Sequence, residues 1–313
     1  MRRPSLHLLT APLAALLAAL LAPAPSLGCG DGPLVVLGDQ EPPRWRFEPP
    51  ALVAELSVPA KTDNPSLTAD LLELFFTSER DGGQDIFAAE RSLRTQPFGP
   101  AERVAALNAP GIETSPAVSA DGLTLWFASD RPGGAGDLDI WVGTRSARTA
   151  AWSAPVNLDT LNSSEKEIPR PPGQRARVMP MASDRDTPGY YQIHFASRSA
   201  TSAPFGEPVP VAELVFPNES TVDGFLSDDG LTLFYVTGPA FGPADLYVAS
   251  RRSVSDPFEQ HAPLDDLNTP SDERDPWLSP DGRELYFASD RSGHYDIYVA
   301  LARREPAAAV LHE

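Results

Sequence analysis

The sequence has one cysteine, few histidines and far fewer basic than acidic side chains. Because Cys29 stands alone, no disulfide can form within one chain, and packing must hold the fold together. Lys and Arg number 25 against 43 Asp and Glu, so the net charge is −18. A nucleic-acid partner is therefore not expected, since few cations could neutralise phosphates. The five histidines form no His-Glu-x-x-His motif and no His/Cys cluster, so no zinc site is expected.

Long amphipathic helices are also missing. No stretch of ten or more residues repeats its apolar side chains with helical periodicity. The 34 Pro and 22 Gly residues instead suit many turns between short strands. Segments such as residues 284–288 alternate polar and apolar side chains and contain aromatics, which is typical of half-buried strands. The chain is therefore predicted to be all-β.

Only the N-terminus carries a long apolar run. Two arginines precede the run at residues 8–21, and the whole predicts an export signal over residues 1–28. Gly28 and Cys29 follow, and this ending resembles a bacterial lipoprotein signal, whose cleavage leaves a lipid-bearing cysteine at the new N-terminus. The alternative is an ordinary secretory signal with a leftover thiol. Residues 29–50 are rich in Gly, Pro and acids, and they are predicted to form a tether.

Two patterns recur about every fifty residues after this segment. A short phrase with apolar residues at its first and fourth positions begins at Val53, Val104, Leu158, Val211 and Leu264. A strand-turn-strand unit follows each phrase, beginning at Thr68, Ser119, Met181, Ser227 and Ser279, with the third copy divergent. This spacing lies in the range of propeller blades, and each three-strand unit needs neighbours to bury its faces.

The last copy of the unit carries the most specific strings. SPDG at residues 279–282, ASDR at 288–291 and DIY at 296–298 resemble the WD-like propeller repeat of the TolB family. Similar copies cover most of residues 51–302. The copies and the resemblance predict one five-bladed β-propeller of four-stranded antiparallel blades over residues 51–305, followed by a tail at 306–313. Six blades remain the alternative, if residues 30–50 form strands with part of the tail.

The order of the patterns also predicts how the ring closes. The phrase precedes every unit, and no sixth phrase follows the last one. The outer strand of the last blade must then come from the N-terminus, so residues 51–57 should pair beside 295–302 and leave no blade with a bare inner strand as an edge. Residues 309–311 in the tail are a rival for this place.

Candidate binding residues lie where the inner strands begin, since these positions line one mouth of the channel of a propeller. They are Asn64, Ser115, Glu167, Asp223 and Asp275, with Glu113 and Glu273 two residues before two of them. A hydrated channel rim is the favoured interpretation, and the alternative is a site for a cationic group, a metal or a sugar. The recurring aspartates, such as Asp290 and Asp296, are interpreted as turn caps, with calcium binding as the alternative and no other cofactor expected.

No catalytic constellation is evident. The sequence has no G-x-S-x-G elbow, and its Gly-rich run at residues 132–136 joins two strands and opens no helix. The first hypothesis is a non-enzymatic lipoprotein of the bacterial envelope, anchored at Cys29 in the outer membrane and facing the periplasm or the surface. Its TolB-like propeller would bind a protein or peptide. The second hypothesis is a carbohydrate-active, glycoside hydrolase-like propeller, which would need convergent carboxylates.

Overall fold

The structure, a computed structural model, describes residues 44–239 and 243–305. The predicted signal, Cys29, most of the tether and the tail lie outside these residues. The described strands, in chain order, are β1 (Arg44–Phe47), β2 (Ala51–Leu52), β3 (Thr62–Leu67), β4 (Glu73–Ser78), β5 (Asp85–Glu90), β6 (Glu102–Arg103), β7 (Glu113–Val118), β8 (Thr124–Ser129), β9 (Asp139–Thr144), β10 (Val156–Asn157), β11 (Glu167–Pro169), β12 (Val178–Ser183), β13 (Gln192–Ser197), β14 (Val209–Pro210), β15 (Glu219–Leu226), β16 (Thr232–Pro239), β17 (Asp245–Ser250), β18 (Glu259–Pro263), β19 (Glu273–Leu278), β20 (Glu284–Ser289) and β21 (Asp296–Glu305). One helical turn, Gly173–Ala176, and one 3₁₀ turn, Ala212–Leu214, complete the described elements.

The strands form five antiparallel sheets, each running from an inner to an outer strand. Blade 1 contains β3–β6, blade 2 contains β7–β10, blade 3 contains β11–β14 and blade 4 contains β15–β18. Blade 5 combines β19–β21 with β1 and β2 from the other end of the described chain. The predicted five-bladed β-propeller of four-stranded blades is thus confirmed, and no sixth sheet forms among residues 44–239 and 243–305.

The ring closes as the repeat order predicted. β2 is antiparallel to β21, with Ala51 opposite Val299, and the Val53 N–H donates to the Ile297 carbonyl at 2.9 Å. The outer edge of blade 5 is therefore built by residues more than two hundred positions away in sequence. The rival strand at residues 309–311 lies outside the described residues.

A second N-terminal strand extends this closure. β1 pairs with the far end of β21, with Phe47 opposite Ala302. It lies inside the segment that the sequence analysis assigned to the tether, so the folded region includes residues before Ala51. The physical reason is burial, because Phe47 packs with Phe234 and Phe287 between blades 4 and 5. Trp45 also packs edge-on against Phe234, with ring centroids 5.2 Å apart.

The core lies between neighbouring blades. In β4, Phe75 and Phe76 point to opposite faces, because successive side chains of a strand alternate. Phe75 meets Trp152 of blade 2 with ring centroids 5.9 Å apart, whereas Phe76 joins the cluster that contains Trp277 of blade 5. This aromatic pair therefore joins blade 1 to both of its neighbours, as face-to-face packing of sheets requires.

Candidate functional site

Four of the inner strands share a β-bulge. In β3, β7, β15 and β19 the pairing with the next strand shifts by one residue. A residue with positive φ occupies each bulge, at Asn64, Ser115, Asp223 and Asp275. A bulge leaves one residue out of the ladder and re-aims its side chain. The local backbone thus turns the same four predicted side chains away from their own sheets.

These four residues and one arginine are linked by hydrogen bonds into a network that we call the axial network. Ser115 Oγ donates to Asn64 Oδ1 at 3.0 Å, and the Asn64 N–H donates to Asp275 Oδ2 at 3.1 Å. Arg170 Nη2 reaches Asp223 Oδ1 at 2.5 Å and also donates to Asp275 Oδ1. One residue of the axial network comes from each blade, and all five are buried.

Burial and charge act against each other in the axial network. Burial raises the pKa of Asp275, and nearby Asp223 raises it further, while Arg170 lowers it. Burial alone would lower the pKa of Arg170, but the two carboxylates outweigh that effect and raise it. The neighbouring Asp63 pairs with Lys61 at 2.8 Å, yet burial still raises the pKa of Asp63. The carboxyl groups of Asp275 and Asp63 thus favour their neutral form more than an exposed carboxyl does.

The three predicted glutamates lie elsewhere, in repeated clamps within single blades. Glu113 Oε1 accepts hydrogen bonds from Ser129 Oγ at 2.8 Å and from Arg131 Nη2 at 3.0 Å. Arg131 also donates to the Leu107 carbonyl at 2.5 Å, which joins the preceding phrase to the inner strand. Glu167 and Glu273 make the same contacts in blades 3 and 5. All three glutamates are fully buried and engaged within the fold.

This geometry corrects the sequence alignment of the third repeat. Glu167 was placed with Asn64 and Ser115, but it faces Ser183 across the ladder, as Glu113 faces Ser129. The sequence contained a sign of this match. Glu113 precedes Ser129 by sixteen residues, and Glu167 precedes Ser183 by the same number; each serine begins a Ser-Asp-Arg string.

Arg170 was missed because blade 3 lacks the bulge at this point. β11 pairs regularly with β12, and the Arg170 N–H then donates to the Pro180 carbonyl at 2.9 Å. Ser115 follows Glu113 by two residues in blade 2, and the residue two after Glu167 in blade 3 is Pro169. The register therefore brings the following side chain, that of Arg170, to the axis, where it meets Asp223 and Asp275.

An open cavity of about 1510 Å³, which we call the funnel, lies at the opposite ends of the inner strands. Leu67, Val118, Leu226 and Leu278, the last residues of four inner strands, line it together with Trp126 and Phe205. Its rim includes the turns after these strands, in which Asp121 Oδ1 accepts from Ser119 Oγ at 2.6 Å and from the Leu123 N–H at 2.9 Å. The rim carboxylates thus include turn caps, which is why the sequence alone did not indicate a binding surface.

Neither a metal cluster nor a membrane-spanning helix emerges from the described chain. Among residues 44–239 and 243–305, no three His, Cys, Asp or Glu side chains are grouped so that they could hold a metal ion. No helix of that part is long and apolar enough to cross a membrane. The SDR aspartate of the last copy, Asp290, accepts a hydrogen bond from the Asp272 N–H at 2.9 Å, as a turn cap should.

Comparisons with known proteins find similarity of fold. No family model matches the chain, and no curated protein matches it. TolB from Acinetobacter baumannii is similar with a TM-score of 0.51 and 17% identity over 81% of this chain, which spans 57% of that chain. The catalytic domain of an alpha-L-arabinofuranosidase from Coprinopsis cinerea gives a TM-score of 0.55 and 12% identity, covering 85% of this chain and 99% of that one. An alpha-L-arabinofuranosidase from Podospora anserina in complex with cellotriose gives 0.55 and 10%, covering 84% and 98%.

Proposed function

We propose that this protein is a non-enzymatic binding module of the bacterial envelope, whose propeller binds a protein or peptide partner at the funnel. The observation that carries the proposal is the contrast between the two ends of the inner strands. At one end the polar side chains are buried in the axial network, and at the other the funnel is open. Loops on a rigid scaffold are the usual place for recognition, and the funnel rim is made of such turns.

The state of the carboxylates supports binding rather than catalysis. A glycosidase needs two carboxyl groups that face a substrate, one of them able to donate a proton. Asp223 and Asp275 are close together, but both are buried and share Arg170. Glu113 and Glu273 are held in their clamps and are not exposed to solvent. A sugar could reach the carboxylates of Asp223 and Asp275 only if the axial network opened.

A photo-crosslinking experiment tests the binding site. A photoreactive amino acid at Ala120, on the turn between β7 and β8, lies at the funnel. The matched control is Ala135, which is also exposed but lies in the hairpin between β8 and β9, at the opposite end of the same sheet. We expect one discrete envelope protein to be crosslinked from Ala120 and not from Ala135. Equal crosslinking from both positions would contradict binding at the funnel.

We further propose that Cys29 carries a lipid and anchors the protein in the outer membrane, facing the periplasm or the surface. The sole cysteine directly after Gly28 supports this, and the TolB-like fold is consistent with an envelope location. Cys29→Ser should move the protein from the membrane pellet to the soluble fraction and abolish incorporation of labelled lipid. A wild-type protein that incorporates no lipid would exclude the anchor.

The second candidate function is glycoside hydrolysis. It is favoured by the arabinofuranosidase neighbours and by the meeting of Asp223 with Asp275, although fold alone does not confer activity. Aryl arabinofuranosides are the direct substrates for an assay. Turnover that disappears in both Asp223→Asn and Asp275→Asn would replace the binding proposal with this one. Absence of turnover in the wild type would leave the binding proposal standing.

A further inference from the structure

An arginine follows the third strand in four of the five blades. These residues are Arg91, Arg145, Arg198 and Arg251. Each donates from Nε to a carbonyl in the first turn of its own blade, at 2.7 to 2.9 Å. Each guanidinium also lies 4.3 to 4.5 Å from the centroid of an aromatic ring of its own blade. The four guanidinium groups therefore occupy equivalent positions, facing the preceding blade.

In two interfaces this arginine is linked to an acid of the preceding blade, directly at Arg145 and through a tyrosine hydroxyl at Arg91. Arg145 Nη2 donates to both carboxylate oxygens of Glu73, at 2.8 and 2.7 Å. Arg91 Nη2 contacts Tyr286 Oη at 3.3 Å, and that hydroxyl donates to Glu284 Oε2 at 3.0 Å. Glu73 and Glu284 are both the first residue of the second strand of their blade. One position of the repeat thus supplies the carboxylate.

Between blades 2 and 3 this position is Thr124, the first residue of β8. Within residues 44–239 and 243–305, no carboxylate pairs with Arg198. Burial lowers the pKa of Arg198, and no acidic group opposes that effect. Burial lowers the pKa of Arg251 too, but there Glu213 and Asp256 partly oppose the effect of burial. Arg198 is therefore a cation that its own fold leaves unneutralised.

Several hydrogen-bond donors share the funnel with Arg198, whose lining also includes the aspartates Asp121, Asp159, Asp228, Asp229 and Asp281. Arg198 and Thr124 both line the funnel, together with the exposed Arg175. Asn157 lines it too, and its Nδ2 is buried without a hydrogen-bond partner, while its Oδ1 accepts from Asn162 at 3.0 Å. Donors without acceptors thus lie in the same cavity as the unneutralised guanidinium, and buried donors favour being paired.

We propose that the funnel binds a ligand carboxylate between blades 2 and 3, with Arg198 as its main donor. The ligand's carboxylate takes the role that the Glu73 carboxylate has beside Arg145. Arginine suits this role because its planar fork binds carboxylates through two parallel hydrogen bonds. The inference deepens the proposed function, since it adds a carboxylate to the chemistry expected of whatever enters the funnel.

The test uses small acids, so it can fail or succeed independently of the protein partner. N-acetylglutamate amide and glucuronate present a carboxylate on a peptide-like and a sugar-like body. N-acetylglutamine amide and glucose are their neutral counterparts. In NMR titrations at constant ionic strength, we expect saturable shifts of the Arg198 Nε–H signal with the acids only. The acid that binds more tightly identifies the source of the carboxylate.

Two variants make the proposal falsifiable. Arg198→Gln removes the Nε–H signal, so binding to this variant is followed through the backbone amides of the turns that line the funnel. The substitution should weaken binding of the acid about tenfold or more, as loss of a charge-assisted pair implies. Arg251→Gln is the matched control, which should bind normally. Thr124→Glu supplies an internal carboxylate and should block the acid, whereas the neutral Thr124→Gln should not. Unchanged binding in both Arg198→Gln and Thr124→Glu, or no saturable shift in the wild type, would overturn the proposal.

Discussion

Arg170 and Asp275 form a buried ion pair although their blades are not neighbours in the ring. Arg170 belongs to blade 3 and Asp275 to blade 5, and they lie 105 residues apart in the chain. Asp223 of blade 4 shares the same Nη2 atom. The pair therefore connects two blades across the axis of the propeller. The packing of adjacent sheets cannot connect these blades, because they are not neighbours.

Arg170→Met should destabilise the propeller strongly. The substitution leaves Asp223 and Asp275 buried without a counter-charge, and removing one partner of a buried pair costs about 3–5 kcal/mol. Urea unfolding measures this loss. Arg94→Gln breaks a partly exposed pair with Asp281 and should cost about 1 kcal/mol or less. The triple variant Arg170→Met, Asp223→Asn, Asp275→Asn should regain part of the lost stability, because no buried charge is left unpaired. Equal losses of stability in Arg170→Met and Arg94→Gln would contradict this prediction.

The SDR clamp should matter most where a glutamate faces it. Arg291→Gln leaves the fully buried Glu273 without its cation, so we expect a cost of about 3–5 kcal/mol. Arg80→Gln is the matched control in blade 1, where Thr62 takes the glutamate's place and Arg80 donates to Ser78 and the Leu56 carbonyl. Loss of the Arg80 hydrogen bonds should cost less, because it leaves no buried carboxylate unpaired. Chemical denaturation of both variants would reveal whether the order is reversed.

At the closing strand, two adjacent substitutions should have effects of very different size. Val53→Asp buries an unpaired charge and should cost several kcal/mol, whereas Leu52→Asp changes a residue that is 38% exposed. Hydrogen exchange on β21 is the direct measurement, because β2 pairs with it. We expect protection of β21 to fall in Val53→Asp and to change little in Leu52→Asp. Unchanged protection in Val53→Asp would mean that β1 alone holds the ring closed.

The carboxyl of Asp281 should titrate at unusually low pH. Hydrogen bonds from Arg94, at 2.7 Å for the shortest, lower the pKa of Asp281 to about 2. Since an aspartate in an unfolded chain titrates near about 3.9, the unfolded state binds more protons between these values. Stability therefore rises with pH in this window, and the contribution of the pair is lost as pH falls toward 2.

An NMR titration of the Asp281 carboxyl carbon measures this directly. Arg94→Gln should return the midpoint toward about 3.9. Arg148→Gln is the control, because Arg148 pairs with Asp70 on another turn. A midpoint that stays low without Arg94 would assign the shift to the turn's own hydrogen bonds.

Much of the fold could be predicted because each blade is specified locally. Alternation in β20, the Gly282 turn and the SDR string recur in most copies, so the period indicated the blade and its count. Repeat order also predicted that β2 closes blade 5, as its pairing with β21 confirms. β1 was not predicted, because no other blade has a strand at this place in the repeat. It is held by its pairing with β21 and by burial of Phe47 between blades.

The candidate site divided along the same line. Sequence position alone was enough to single out Asn64, Ser115, Asp223 and Asp275, since one bulge recurs at one place in the repeat. Only the tertiary structure decided that Arg170 joins them, because the missing bulge in blade 3 changes which side chain reaches the axis. Burial and charge pairing depend on residues that are distant in the chain, so local patterns could not distinguish a carboxylate enclosed at the axis from one open to a ligand.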